Sequence, residues 1–107
     1  MTPFQKEVYR ALSLIPKGSL TTYGAIANYL GTNAVRAVRA VGTAVGKNPN
    51  APQVPCHRVV PSTGKIGNYS AEGGVNKKIE LLRDEGVIVD NGKVVDFQNI
   101  LFTFRKH

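Results

Sequence analysis

The chemistry of this chain centres on Val54-Pro55-Cys56-His57-Arg58-Val59-Val60, which holds the only cysteine and sets a histidine beside it. A thiolate is the strongest nucleophile a side chain offers, and a neighbouring imidazole can act as the base that generates one. Pro55 restricts the backbone on one side, His57 can take a proton, and Arg58 adds positive charge of the sign that suits a thiolate. Alone, the triplet is open to two other readings: an accidental neighbour pair, or half of a metal site. His57 and His107 are the only histidines, so no set of zinc-ligand spacings exists and no metal is expected. One cysteine excludes an internal disulfide framework and suits a reducing compartment.

The elements that must position this stretch are short. The chain has 107 residues, of which 42% are hydrophobic, enough for one small domain with one core. Phe4, Val8, Leu12 and Ile15 recur at helical spacing behind Pro3, which predicts a first helix ended by Pro16-Lys17-Gly18. Thr21 or Thr22 can cap a second helix carrying Ile26, Ala27 and Leu30. After a break at Gly31-Thr32, Asn33 caps a third helix running to about Gly46. Two short helices joined by a glycine turn form a helix-turn-helix pattern, whose second helix enters a DNA groove. That third helix is built almost wholly of small residues, with Arg36 and Arg39 on one face. Two readings stay open for it: a buried helix with two solvated arginines, or a helix whose small residues let it approach DNA closely.

A proline-rich loop from Lys47 to Pro55 leads into the reactive stretch, and Val59-Val60 is a short extended piece. A polar loop over 66–74 precedes a fourth helix with Val75, Ile79 and Leu82 inward and its charges outward, closing near Glu85-Gly86. Asn91-Gly92 between valine-rich arms signals a hairpin, and the apolar residues from Ile100 to Phe104 are expected to pack on the body. The fold class is therefore mainly α, a winged helix-turn-helix-like single domain with a small C-terminal β-hairpin.

Fourteen Lys and Arg against seven Asp and Glu give a net charge of +7. The imbalance is segregated, since Ile15 to Gly67 contains no acidic residue. Such a segment points to a surface that faces a polyanion. No apolar run approaches the ~20 residues that span a bilayer, so no membrane partner is expected. The N-terminus enters an amphipathic pattern rather than a secretion signal. The expected location is cytoplasmic, or nuclear in a eukaryote.

Six stretches, in order, carry a resemblance that covers roughly residues 4 to 95. They are Thr22-Tyr23-Gly24, Arg39-Ala40-Val41-Gly42, Asn48-Pro49, Pro55-Cys56-His57-Arg58-Val59-Val60, Gly67-Asn68-Tyr69-Ser70 and Glu85-Gly86. Together they resemble the DNA-binding domain of the O6-alkylguanine-DNA alkyltransferases, which move an alkyl group from guanine irreversibly onto their own cysteine. The resemblance implies Cys56 as nucleophile and alkyl acceptor, His57 as base acting through a water, and Glu85 as the carboxylate that holds His57. It further implies that Asn48 braces the active-site turn and that Tyr23 donates a proton to the leaving guanine. Arg39 would fill the gap left by the flipped nucleotide, with Arg36, Thr22, Ala34, Ala37 and Gly42 facing the DNA. The pocket would be formed by Val45, Tyr69, Ser70, Pro55 and Arg58, with the carbonyls of Cys56 and Val59 reading the exocyclic amine. Double-stranded DNA containing O6-alkylguanine is then the partner, no cofactor is needed, and the protein works as a monomer.

Taken singly, Glu85 reads as a helix-end carboxylate, Tyr23 as a packing residue and Tyr69 as a loop anchor. With Cys56-His57 in the family's order, the functional reading is favoured for all three. Family members usually carry an additional N-terminal domain, sometimes with a metal, which is expected to be absent here, residues 1–107 forming a single domain. Phe97, Ile100, Leu101, Phe102 and Phe104 are expected to cover the surface it would shield. The loop at 71–74 is slightly longer than is usual in the family. Two rival readings remain. Alkyltransferase-like proteins bind alkylated guanine but carry tryptophan in place of the cysteine, so they flag damage without transfer. A helix-turn-helix regulator would explain the basic helix but not Pro55-Cys56-His57.

Overall fold

In the computed structural model, which describes residues 2–31 and 35–104, eight elements run along the chain. They are α1 (Pro3–Leu12), β1 (Thr21–Thr22), α2 (Tyr23–Tyr29), α3 (Val35–Gly46), β2 (Val59–Val60), α4 (Gly74–Asp84), β3 (Val89–Asp90) and β4 (Lys93–Val94). Single 3-10 turns occur at Cys56–Arg58 and Phe97–Ile100. The mainly helical, helix-turn-helix-based architecture with a C-terminal hairpin is the one expected from the sequence.

α1 starts where its first residues satisfy each other. The Gln5 amide donates to Thr2 Oγ1 at 3.1 Å while the Thr2 amide donates to Gln5 Oε1 at 2.9 Å, a reciprocal capping box with Pro3 at the first helical position. Its apolar stripe buries Val8, Ala11 and Leu12, and Ile15 follows them into the core although the helix has already ended. Each fully buried Val or Leu contributes about 1.5–3 kcal/mol. Of the two candidate caps for α2, it is Thr22 that accepts from the Ala25 amide, at 3.0 Å; Thr21 lies in β1, fully buried. The cap expected at Asn33, and Ala34 beside it, lie outside the described residues.

Valines are poor helix formers, so α3 depends on packing rather than propensity. Val41, Ala44 and Val45 close a first core with Val8, Leu12, Ile26 and Ala27, and the Tyr9 hydroxyl donates to the Ala44 carbonyl at 2.8 Å. Arg36, Arg39, Ala40 and Thr43 are exposed. One face of this helix is therefore buried, and the other carries both arginines in solvent.

β1 and β2 pair in parallel, with Thr21 opposite Val59 and Thr22 opposite Val60. The sequence marks Val59-Val60 as extended but says nothing of this partner. Because successive strand side chains point to opposite faces, Val59 enters the first core while Val60 joins a second with Leu20, Ile66, Leu82, Val87, Val89 and Val94. The β3–β4 hairpin turns at Asn91 and Gly92, both with positive φ (52° and 74°), as a two-residue type I′ turn requires.

The tail packs as expected. The Leu20 amide donates to Ile100 O at 2.9 Å and the Phe102 amide to Leu20 O at 2.7 Å. The Phe104 ring stacks on Tyr29 at 4.5 Å and meets Phe102 edge-on at 5.0 Å. One expectation fails on α4. Val75, expected inward, is 40% exposed in the helix's first turn, whereas Lys78, expected outward with the other charges, is fully buried one turn before Leu82.

Candidate active site

Cys56 opens the 3-10 turn between the proline-rich loop and β2 and is only 6% exposed. The loop before it is braced by one side chain. Asn48 Nδ2 donates to the Val54 carbonyl at 2.7 Å, and Asn48 Oδ1 accepts from the Asn50 amide at 3.0 Å. The Cys56 amide then donates to the same Val54 carbonyl at 2.8 Å, so Asn48 and Cys56 share one anchor.

His57 is 2% exposed, and its Nε2 lies 2.8 Å from Glu85 Oε2. Glu85 carries a second partner. Arg58 Nε donates to Oε1 at 2.9 Å and Nη2 to Oε2 at 2.8 Å, while Nη1 donates to the Ile15 carbonyl at 2.6 Å. Burial alone would raise the Glu85 carboxyl, but the hydrogen bonds and charges of Arg58 and His57 outweigh it and hold it below its ordinary value. An ionised carboxylate only accepts, so Nε2 carries the imidazole proton. That leaves Nδ1 as the basic nitrogen, buried and without a protein hydrogen-bond partner among the described residues. Burial lowers the His57 pKa, more than the Glu85 hydrogen bond and charge raise it, so the ring is neutral at pH 7.

A cavity of about 710 Å³ opens beside Cys56. α3 contributes Arg39, Gly42, Thr43, Val45 and Gly46, and α2 contributes Tyr23. The rest comes from Asn48, Pro61 and the loop from Gly67 to Ala71. Burial and the negative charge of a Cys56 thiolate both raise Tyr23, and they lift Tyr69 to about 12, so both phenols stay protonated through neutral pH. Gly67 must be glycine, since its φ is 74° and a Cβ would stand 2.8 Å from Pro61 Cδ.

Of the residues singled out in the sequence, the cavity brings together Cys56, Asn48, Tyr23, Arg39, Gly42, Val45, Tyr69 and Ser70. His57 and Glu85 are not among its lining residues and join it through the turn that carries Cys56. Three expected pocket residues do not line it. Pro55 is buried, and Val59 belongs to the first core with its carbonyl accepting from Lys78 Nζ at 2.9 Å. Arg58 spends its guanidinium on Glu85 and Ile15 rather than on the thiol or a base. On the expected DNA face, Arg36 is exposed, Thr22 is occupied as a cap, and Ala37 is half-buried against the first core. Sequence reasoning missed Thr43 and Gly46, although their spacing from Arg39 and Gly42 puts them on the same helical face. It also missed Lys78, which periodicity alone could have placed inward.

The sequence pattern of the family described as 6-O-methylguanine DNA methyltransferase, DNA binding domain, matches residues 3–87. The methylated-DNA–protein-cysteine methyltransferase of Salmonella typhimurium is 48% identical over 88 residues, which is 82% of this chain and 49% of that protein. The chain thus spans about half the length of the curated relatives it matches. Among solved structures, Mycobacterium tuberculosis OGT in complex with DNA is similar at a TM-score of 0.72 and 47% identity, over 79% of this chain and 50% of that one. S. pombe Atl1 in complex with damaged DNA containing O6-carboxymethylguanine is similar at 0.82 and 31% identity, over 96% of this chain and 97% of that one.

Proposed function

The chain belongs to the 6-O-methylguanine DNA methyltransferase family, through its DNA-binding domain, and from that premise we propose that it moves the alkyl group of O6-alkylguanine in DNA irreversibly onto Cys56. One observation carries the reading: the only thiol lines a cavity with Tyr23, Arg39, Tyr69 and Ser70, while the adjacent His57 is held by Glu85 with Nδ1 left basic.

In the reaction the bond from Sγ to the alkyl carbon forms as the bond from that carbon to O6 breaks, and guanine leaves with the electron pair. His57 Nδ1 takes the thiol proton, through a water. The Tyr23 hydroxyl, kept protonated by burial, gives its proton to the departing base and recovers one from solvent as the imidazolium releases its own. Net, the thiol's proton replaces the alkyl group on guanine. The thioether has no easy route back, so each molecule acts once. No cofactor is required by this balance.

The target carbon is stacked inside the duplex, so the nucleotide must be flipped out, at a cost of a few kcal/mol. Arg39, exposed on α3 yet lining the cavity, fills the gap and offsets part of that cost. Arg36 holds phosphate beside it. Small residues on α3 make few base-edge hydrogen bonds, so binding has weak sequence preference. One copy of the chain supplies every side chain that the step uses, so it acts as a monomer.

A second reading, capture of the alkylated base without transfer, is favoured by the near full-length likeness to Atl1. Intact mass after mixing with an equimolar duplex containing O6-methylguanine separates the two. Gain of one methyl group, stoichiometric and absent in Cys56→Ala, supports transfer; tight binding with no mass change supports capture alone.

A further inference from the structure

Lys78 is fully buried in the middle of α4, the largest side chain to be so among the described residues. Its ammonium donates to three backbone carbonyls: Ile66 at 2.6 Å, Val59 at 2.9 Å and Asn68 at 3.2 Å. An ammonium has three N–H groups, so its donors are fully used. Among the described residues no carboxylate pairs with it. A buried charge without a counter-ion is a poor way to gain stability, since an apolar side chain of similar volume commonly does as well or better.

The three carbonyls locate its role. Val59 follows directly on the Cys56–Arg58 turn, and Ile66 and Asn68 flank Gly67 at the start of the loop that carries Tyr69 and Ser70. These two segments bound the cavity, and α4 lends one side chain that bridges them. We propose that Lys78 is a positioning residue for the alkylated base, its ammonium fixing the loop at 66–70 against the active-site strand at the separation that seats a flipped guanine beside Cys56. The role rests on the reading above that such a base enters this cavity.

Burial lowers Lys78 to about 8, against the opposing pull of the Cys56 negative charge. The titratable groups that sense it are Cys56 and His57. A neutral amine has two N–H groups and cannot serve three carbonyls, so the tie loosens when the proton leaves.

Lys78→Met keeps the length and removes the donors. In the folded variant, judged by circular dichroism, methyl transfer from O6-methylguanine duplex should fall by about tenfold to 100-fold. The rate of Cys56 with iodoacetamide at the same pH should stay within about twofold. Unchanged transfer would overturn the proposal, and so would a parallel loss of iodoacetamide reactivity, which would mean that Lys78 acts on the thiol. If the variant does not fold, the wild-type lysine is read instead in a Cys56→Ala background, which removes thiol titration. There the ratio of affinities for O6-methylguanine and undamaged duplex should drop between pH 7 and 9, a window in which His57, Tyr23 and Tyr69 do not titrate. A flat ratio would sink the idea. Wild-type intact mass is measured alongside. Absent transfer with intact lesion discrimination ends the methyltransfer reading but leaves this one standing, whereas no discrimination at all ends both.

Discussion

Glu85 serves two partners with one carboxylate, and that sharing governs the state of His57. Arg58 brackets both oxygens and keeps them ionised, which fixes the proton on His57 Nε2 and frees Nδ1 to act as base. Both His57 and Glu85 have folded-state pKa values below their ordinary ones, 6.5 and 4.5. For a depressed pKa the contribution to stability is complete above the unfolded value and is lost as pH falls through the folded one. Stability should therefore begin to fall below pH 6.5, and further below 4.5, in a urea-midpoint series. The transfer rate should hold down to pH 6.5 and decline below it as the imidazole protonates; an acid limb centred above 6.5 in single-turnover kinetics would contradict the assigned base. Arg58→Ala leaves Glu85 short of its main counter-charge and should cost about 3 kcal/mol. Because Arg58 lowers both groups, its removal should also move the acid limb to higher pH.

At the level of elements, α2 and α3 line the cavity, and separable devices hold the elements around it. Thr22 caps α2, so Thr22→Ala should cost about 1 kcal/mol in urea denaturation. α3 presents Arg39, Gly42, Thr43 and Gly46 to the cavity at helical spacing. A Cβ at Gly46 would already stand 3.3 Å from Ser70 Oγ, so a larger side chain there must narrow the space beside the alkyl group. Gly46→Leu should slow transfer of a benzyl group by about tenfold more than transfer of methyl. Equal slowing of both would mean that Gly46 does not set substrate size. The tail at 97–104 adds two backbone bonds at Leu20 and the Tyr29–Phe104 stack. Deleting residues 97–107 should lower the melting temperature markedly, and an unchanged temperature would mean that the tail contributes little to stability.

The whole molecule places its charge unevenly, and that bears on DNA. The exposed arginines of α3 lie within the acid-free run from Ile15 to Gly67, while the last third carries most of the acids. Binding driven by phosphate contacts weakens linearly in log affinity against log salt, at about 0.9 per contact. Affinity for undamaged duplex should therefore fall steeply with salt, and Arg36→Ala should flatten the slope by about 1. A slope near zero would move the DNA surface elsewhere. The same fold holds two cores, one behind the cavity and one beneath α4 and the hairpin, joined by β2, whose Val59 enters one and Val60 the other.

Local rules carried much of this protein. The Asn91-Gly92 turn and the helical period of Val8 and Leu12 depend on residues a few positions apart, so the sequence alone was enough to place them, whereas it narrowed the α2 cap only to Thr21 or Thr22. The six spaced motifs likewise marked Cys56, His57, Glu85, Asn48, Tyr23 and Arg39 as a set before any contact was visible. What the tertiary structure decided is where residues distant in the chain meet. Thr21 and Val59 pair in parallel across two helices, a match that no local pattern encodes. Arg58, adjacent to the cysteine in sequence, turns away from it because Glu85 and the Ile15 carbonyl are better partners for a planar five-donor group. Lys78 looked like one more solvated charge on an amphipathic helix. It is buried because three carbonyls from two other segments converge on it, and such convergence exists only once the chain has folded.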